Sequence, residues 1–270
     1  MKNKFASLLA MLALVLIISS CGSDTPATPA ESTDVFPNTV GNYWINENYS
    51  IDTLGVVDTK SLTIDSTIVT GSVLMNGKQA TEMTSYTIGS KDTASKAYIA
   101  KEGNTVFMDA MSINELVSVF SGFVEVDATK LYLDEKWLLI VDPSKTSWTA
   151  ATKNFTNVPF KYSTFAGTMS GTNIVTGRKG GTESITLQGK TSTAQEYIME
   201  SNIVSNLSII IPAGTVKVKF VNHIWIVNGI GMVKQNTETI IIDMDISLAG
   251  IKQTQKIPGG KATCIRYKLK

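Results

Sequence analysis

The chain is poor in the residues from which enzymes most often build their centres. Among 270 residues it has one histidine, His223, and two cysteines, Cys21 and Cys264. No histidine cluster and no cysteine pair can be assembled for zinc. A Ser-His-Asp arrangement would have to use His223, which lies in His223-Ile224-Trp225-Ile226-Val227, where alternation reads as a strand packed on both faces. Charge of one sign is also missing: 24 Lys and Arg stand against 23 Asp and Glu, so no basic field exists to recruit nucleic acid or anionic headgroups. EF-hand spacing, a glycine-rich phosphate loop ending in lysine, and any other cofactor motif are absent from the sequence. A long apolar run is missing too. Phe5 to Ile18 covers 14 residues, which as a helix reach about 21 Å against a hydrocarbon core of roughly 30 Å.

That short run has another meaning. Met-Lys-Asn-Lys precedes it and Ser19-Ser20-Cys21 closes it, the order of a secretory signal: charged start, greasy centre, small residues at the cleavage point. Ile18-Ser19-Ser20-Cys21 resembles the lipobox of bacterial lipoproteins. The resemblance implies removal of residues 1–20 and acylation of Cys21 as the first mature residue. Several acyl chains at about 0.8 kcal/mol per buried methylene anchor a protein that one myristoyl chain would not. Residues 22–34 contain no large apolar side chain and two prolines. With Cys21 and Val35 they form a tether, residues 21–35, that holds the folded part about 20 Å from the membrane. A single domain is expected over 36–270.

The texture of that domain is β. Threonine, valine and isoleucine alternate with polar residues over short runs broken by Gly, Asn and Asp, as in Val216-Lys217-Val218-Lys219-Phe220. Strands are expected around Tyr43–Tyr49, Ser61–Val69, Gln79–Ile88, Ala97–Lys101, Thr105–Asp109, Leu131–Val141, Glu183–Leu187, Gln195–Ser201, Val216–Phe220, His223–Val227, Thr239–Ile246 and Cys264–Leu269. So many strands with so few helices between them exclude a parallel βαβ sheet. Ser112-Ile113-Asn114-Glu115 has capping-box spacing, and Gly122 stands where a helix would stop, so one short helix is expected over Ile113–Ser121. Gly177-Arg178-Lys179-Gly180-Gly181 reads as a turn between strands.

Candidate chemistry is thin. Asp134-Glu135 and Asp243 with Asp245 are the carboxylate pairs of note. The second pair shares a strand face with about 7 Å between Cα atoms, but Ile240, Ile242, Met244 and Ile246 on the other face make it an ordinary wet side. Cys264 alternates into a buried position and reads as a small core residue. The apolar runs Ile209-Ile210-Ile211 and Ile240-Ile241-Ile242 exceed what a one-sided sheet needs. They are either covered on both faces or line a concavity for an apolar ligand, and a cavity of about 300 Å³ or more would decide for the second.

Three segments carry a family likeness: Phe36-Pro37-Asn38-Thr39-Val40-Gly41-Asn42-Tyr43-Trp44, Gly189-Lys190, and Trp225-Ile226-Val227-Asn228-Gly229-Ile230-Gly231-Met232-Val233-Lys234. They resemble uncharacterised secreted lipoproteins common in Bacteroidetes, related to the half-barrel type of lipoprotein carriers. The resemblance implies a mainly β fold, a curved antiparallel sheet or unclosed β-barrel with one short helix. It also implies O-glycosylation at Thr53, Ser66 and Thr93, each in a short Asp-Ser/Thr pattern. The reading that results is a non-catalytic, extracytoplasmic binding module for an apolar ligand or a protein partner. It is held on the cell envelope, at the outer membrane, by its lipid anchor, and needs neither metal nor cofactor. The alternative is a structural envelope component whose apolar runs are all core. Gly229 and Gly231 are expected to adopt positive φ at a tight reversal. Cys21→Ala should abolish both incorporation of radiolabelled fatty acid and partition into the detergent phase, and unchanged partition would refute the anchor.

Overall fold

The computed structural model describes residues 34–90, 94–120, 124–208, 212–246 and 250–270, all within the compact unit Ser32–Lys270. The first strands are β1 (Tyr43–Ile51), β2 (Val57–Met75), β3 (Lys78–Thr87), β4 (Ser95–Glu102) and β5 (Thr105–Asp109). Helix α1 (Met111–Phe120), the short β6 (Glu125–Val126) and a 3-10 turn at Ala128–Lys130 follow. After them come β7 (Trp137–Val141), β8 (Ser147–Tyr162), β9 (Phe165–Leu187), β10 (Lys190–Ser208), β11 (Pro212–Val227) and β12 (Gly231–Thr237). The chain ends with β13 (Ile240–Ile246), β14 (Ile251–Ile257) and β15 (Gly259–Lys268).

All fifteen described strands belong to one antiparallel sheet in the order β6-β8-β9-β10-β11-β12-β15-β1-β2-β3-β4-β5-β7, with β13 and β14 branching from β11. The C-terminal strand therefore lies beside the N-terminal one, and β15 joins the two halves of the sheet. The path ends at β6 and β7 without a ladder between them, so the sheet is unclosed. β7 and β8 follow one another in the chain, so the segment 142–146 brings the two ends of the path together, and a side chain bridges them. Trp148 on β8 donates its indole N–H to the Leu139 carbonyl on β7 at 2.8 Å. Gly177 on β9 faces Trp148, and a Cβ there would lie 2.2 Å from the indole.

Two apolar cores share the sheet. The first gathers Trp44, Val69, Met83, Val106, Leu138, Trp148, Tyr197, Ile224, Ile226 and Cys264 inside the curl. The second packs Phe155, Met169, Ile203, Leu207, Val216, Ile242 and Met244 beneath the far halves of β8–β11. Helix α1 reaches both, with Ile113 in the first and Val117 in the second. Between them runs a buried polar seam: Asn173 donates to the Leu131 carbonyl at 3.3 Å, and Ser201 donates to Asn173 at 3.4 Å. Pairing these groups inside the protein avoids the penalty of leaving them bare.

The helix begins at Met111, two residues ahead of the expected start, and the Met111 N–H is accepted by Asp109 Oδ1 at 3.1 Å. Larger departures concern the middle of the chain. β8 and β9 run for 16 and 23 residues, where the sequence indicated only Glu183–Leu187. Gly177 to Gly181 lie inside β9 and form no turn. The pairing with β10 slips between Gln195 and Tyr197, and there Glu196 fills the place a side chain at Gly180 would take and accepts from Gly181 N–H. Leu131 to Lys136 is loop, with the strand starting at Trp137. Packing begins at Asp34, whose carbonyl accepts from Gly229 N–H at 2.6 Å and whose carboxylate holds Lys101.

Gly177→Ala should destabilise the domain by about 1–3 kcal/mol through overpacking against Trp148. Placed in a Trp148→Ala background it should cost much less, because the clashing ring is gone. Chemical denaturation of the four proteins measures the coupling, and strict additivity would refute the contact.

Candidate ligand-binding cavity

Inside the first core the side chains do not fill the curl. A cavity of about 290 Å³ remains, walled by β1–β5, β7, β11, β12 and β15. Its composition follows from strand alternation. Trp44, Asn46 and Asn48 share one face of β1, Val69, Thr67 and Asp65 one face of β2, and Ile226, Ile224 and Asn222 one face of β11. Each series passes from apolar to polar along the strand. The apolar part is made by Phe36, Ile99, Val106, Ile140, Ile226 and Met232. Trp44 closes that end, stacked on Phe36 with ring centroids 5.8 Å apart and donating to the Ile230 carbonyl at 2.8 Å. The polar part is a collar of Asn46, Asn48, Asp65, Thr67, Ser85, Asn222 and Gln235, with exposed Ala97 also on the wall.

Much of the collar is satisfied within itself. Thr67 and Ser85 share a hydrogen bond of 2.7 Å, and Gln235 donates to Asn222 Oδ1 at 3.1 Å. Two collar atoms are not: Asn48 Nδ2 and Asp65 Oδ1 are buried with no hydrogen-bond partner in the protein. Lys234, the cavity's other ionisable neighbour, is taken. Its ammonium pairs with Glu183 at 2.6 Å and lies 4.2 Å above the Trp225 ring.

The apolar runs singled out in the sequence are not what lines this space. Ile240 and Ile242 are buried on β13, Ile242 in the second core, and Ile241 borders a separate groove with Ile51 and Leu54. Residues 209–211 lie outside the described residues. The lining residues carry no uniform apolar pattern, because eight of the twenty are polar. The signal present was the stepwise change from apolar to polar along one face of β1, β2 and β11.

His223 sits on the other face from Ile224 and Ile226. Its Nδ1 and Nε2 meet Glu196 and Glu238 at 2.8 and 2.9 Å, and its ring stacks on Trp225. Trp225 is half-buried and packs against the first core, where the sequence pattern placed it within the core; Trp44 and Trp148 are the buried indoles. Cys264 is buried in the first core, and burial pushes its thiol pKa up to about 11, which keeps it protonated and unreactive. Asp243 is exposed and accepts from Thr254, and Asp134 pairs with Lys153. Among the described residues no three His, Cys, Asp or Glu gather as a metal-holding group. Gly229 and Gly231 have φ of 78° and 95°, as their spacing indicated. Of the candidate sugar acceptors, Thr53 lies exposed in the β1–β2 turn and Ser66 is 7% exposed within β2. Thr93 and Cys21 lie outside the described residues.

No family model matches the chain, and no curated protein matches it. Two solved structures are similar. One is a Parabacteroides distasonis protein described as a lipoprotein, 13% identical, with TM-score 0.43 over 88% of this chain and 100% of its own. The other is a Bacteroides fragilis protein described as exported and of YmcC-like fold, 12% identical, with TM-score 0.43 over 87% of this chain and 99% of its own.

Proposed function

We propose that this chain is a lipid-anchored, extracytoplasmic binding module without catalytic activity, held to the cell envelope through Cys21 and carrying a small apolar ligand in the curl of its sheet. The observation that supports the reading is the cavity itself. Its volume of about 290 Å³ lies at the lower edge of the roughly 300–1,000 Å³ typical of small-molecule pockets, and an apolar depth with a few placed polar groups is their usual lining. A well-packed core leaves few voids larger than a water molecule, so a space this size at the centre of the first core has a use beyond stability. Such a module works by equilibrium uptake and release, with apolar area removed from water as the driving term.

The test uses N-phenyl-1-naphthylamine, an uncharged fluorescent probe. The wild-type domain should enhance its emission saturably with one site per chain. Ala97→Trp, an exposed wall position turned into a plug, should weaken binding at least about tenfold, while exposed Leu54→Ala in the β1–β2 turn leaves it unchanged. No saturable binding, or equal binding by Ala97→Trp, would refute the cavity as a ligand site and favour a purely structural envelope protein.

A further inference from the structure

The collar carries information about what sits in the cavity. Asn46 on β1 is directly opposite Asp65 on β2, so Asn48 is the diagonal neighbour of Asp65 on the same face, about 7–8 Å away between Cα atoms. Both residues line the cavity. Asn48 Nδ2 is a donor and Asp65 Oδ1 an acceptor, and both are buried without a protein partner. Buried polar atoms are normally paired, and each exception needs an explanation. Here two exceptions of opposite sense border one cavity, side by side, at the polar end of an otherwise apolar space.

Resting on the binding role set out above, we propose that the ligand is a single-chain amphiphile with a neutral, hydroxyl-bearing head, its tail among the apolar side chains and its head between Asn48 and Asp65. A hydroxyl both donates and accepts, so one or two of them satisfy Asp65 and Asn48 together. An ionised carboxylate or phosphate head offers acceptors alone and sets its oxygens against Asp65. A quaternary ammonium offers neither donor nor acceptor and leaves Asn48 bare. No cation compensates for an anionic head, because Lys234 is engaged by Glu183. The volume of about 290 Å³ admits one chain and excludes the several chains of a triacylated lipid.

Three ten-carbon probes separate these chemistries: 1-decanoylglycerol, decanoate and decyltrimethylammonium, each titrated against the naphthylamine-loaded domain. The glycerol ester should compete at least about tenfold better than the other two, the scale set by one unsatisfied buried polar group. In Asp65→Leu the preference for the glycerol ester over decanoate should shrink below about threefold. Asn48→Leu should weaken the glycerol ester and leave decyltrimethylammonium no weaker, and circular dichroism checks that both variants fold. Equal affinities in the wild type, as expected if ordered waters keep both collar atoms satisfied, would overturn the head-group assignment while leaving the cavity reading intact. Tighter binding of decanoate would overturn it too. A wild-type preference that survives Asp65→Leu would remove Asp65 from the assignment. If naphthylamine itself fails to bind, the cavity reading falls and this proposal with it.

Discussion

The two ends of the sheet meet through the short turn 142–146, and one side-chain hydrogen bond spans them where no ladder forms. Trp148 on β8 donates to the Leu139 carbonyl on β7, and these strands lie at or next to the two ends of a sheet whose path never closes. An edge strand presents unpaired backbone groups and is a liability. Here the indole supplies one donor across the gap, and its ring fills the space behind it. Gly177 is required opposite, since the indole already occupies the position of a Cβ. With the ends drawn together, the faces of β1–β5 turn toward those of β10–β12, and a concavity becomes unavoidable.

Why that concavity stays partly empty follows from the side chains placed along it. Its closed end is sealed by large groups, Trp44 stacked on Phe36 and tied to Ile230. Farther along the same strand faces the residues are Asn46, Asn48, Thr67, Asp65 and Ser85, too short or too polar to interdigitate across the gap. The second core, at the far halves of β8–β11, lacks such a step and is filled by Phe155, Met169, Leu207, Ile242 and Met244. The polar seam at Asn173 and Ser201 separates the two regimes. One continuous sheet therefore holds a solid half, which fixes the strands, and a hollow half, which is free to receive a guest.

Much of the fold was legible because local chemistry and tertiary outcome agree. Strand alternation around Val216–Phe220 and His223–Val227, the reversal at Gly229 and Gly231, and a helix ending near residue 120 all survive. β8 and most of β9 were hidden because their apolar residues are diluted by Thr, Ser, Asn and Gly; these strands are specified by their neighbours more than by their own pattern. The glycines at 177 and 180 look like turn residues in isolation, and only the positions of Trp148 and Glu196 explain them as clearance. The site was harder still. Period-two alternation says that Asn48 and Trp44 share a face, but not that this face curls toward Ile224 and Ile226 from a strand almost two hundred residues away.

The central claim is that the hollow half takes a ligand while the solid half does not. Methionine methyl groups report on both, because Met83, Met108 and Met232 line the cavity, while Met169 and Met244 are buried in the second core. The decisive measurement is a methyl-resolved NMR titration of selectively labelled protein with 1-decanoylglycerol. Saturable shifts of Met83, Met108 and Met232 with Met169 and Met244 unmoved would bear the account out, whereas shifts confined to the second core, or none at all, would contradict it.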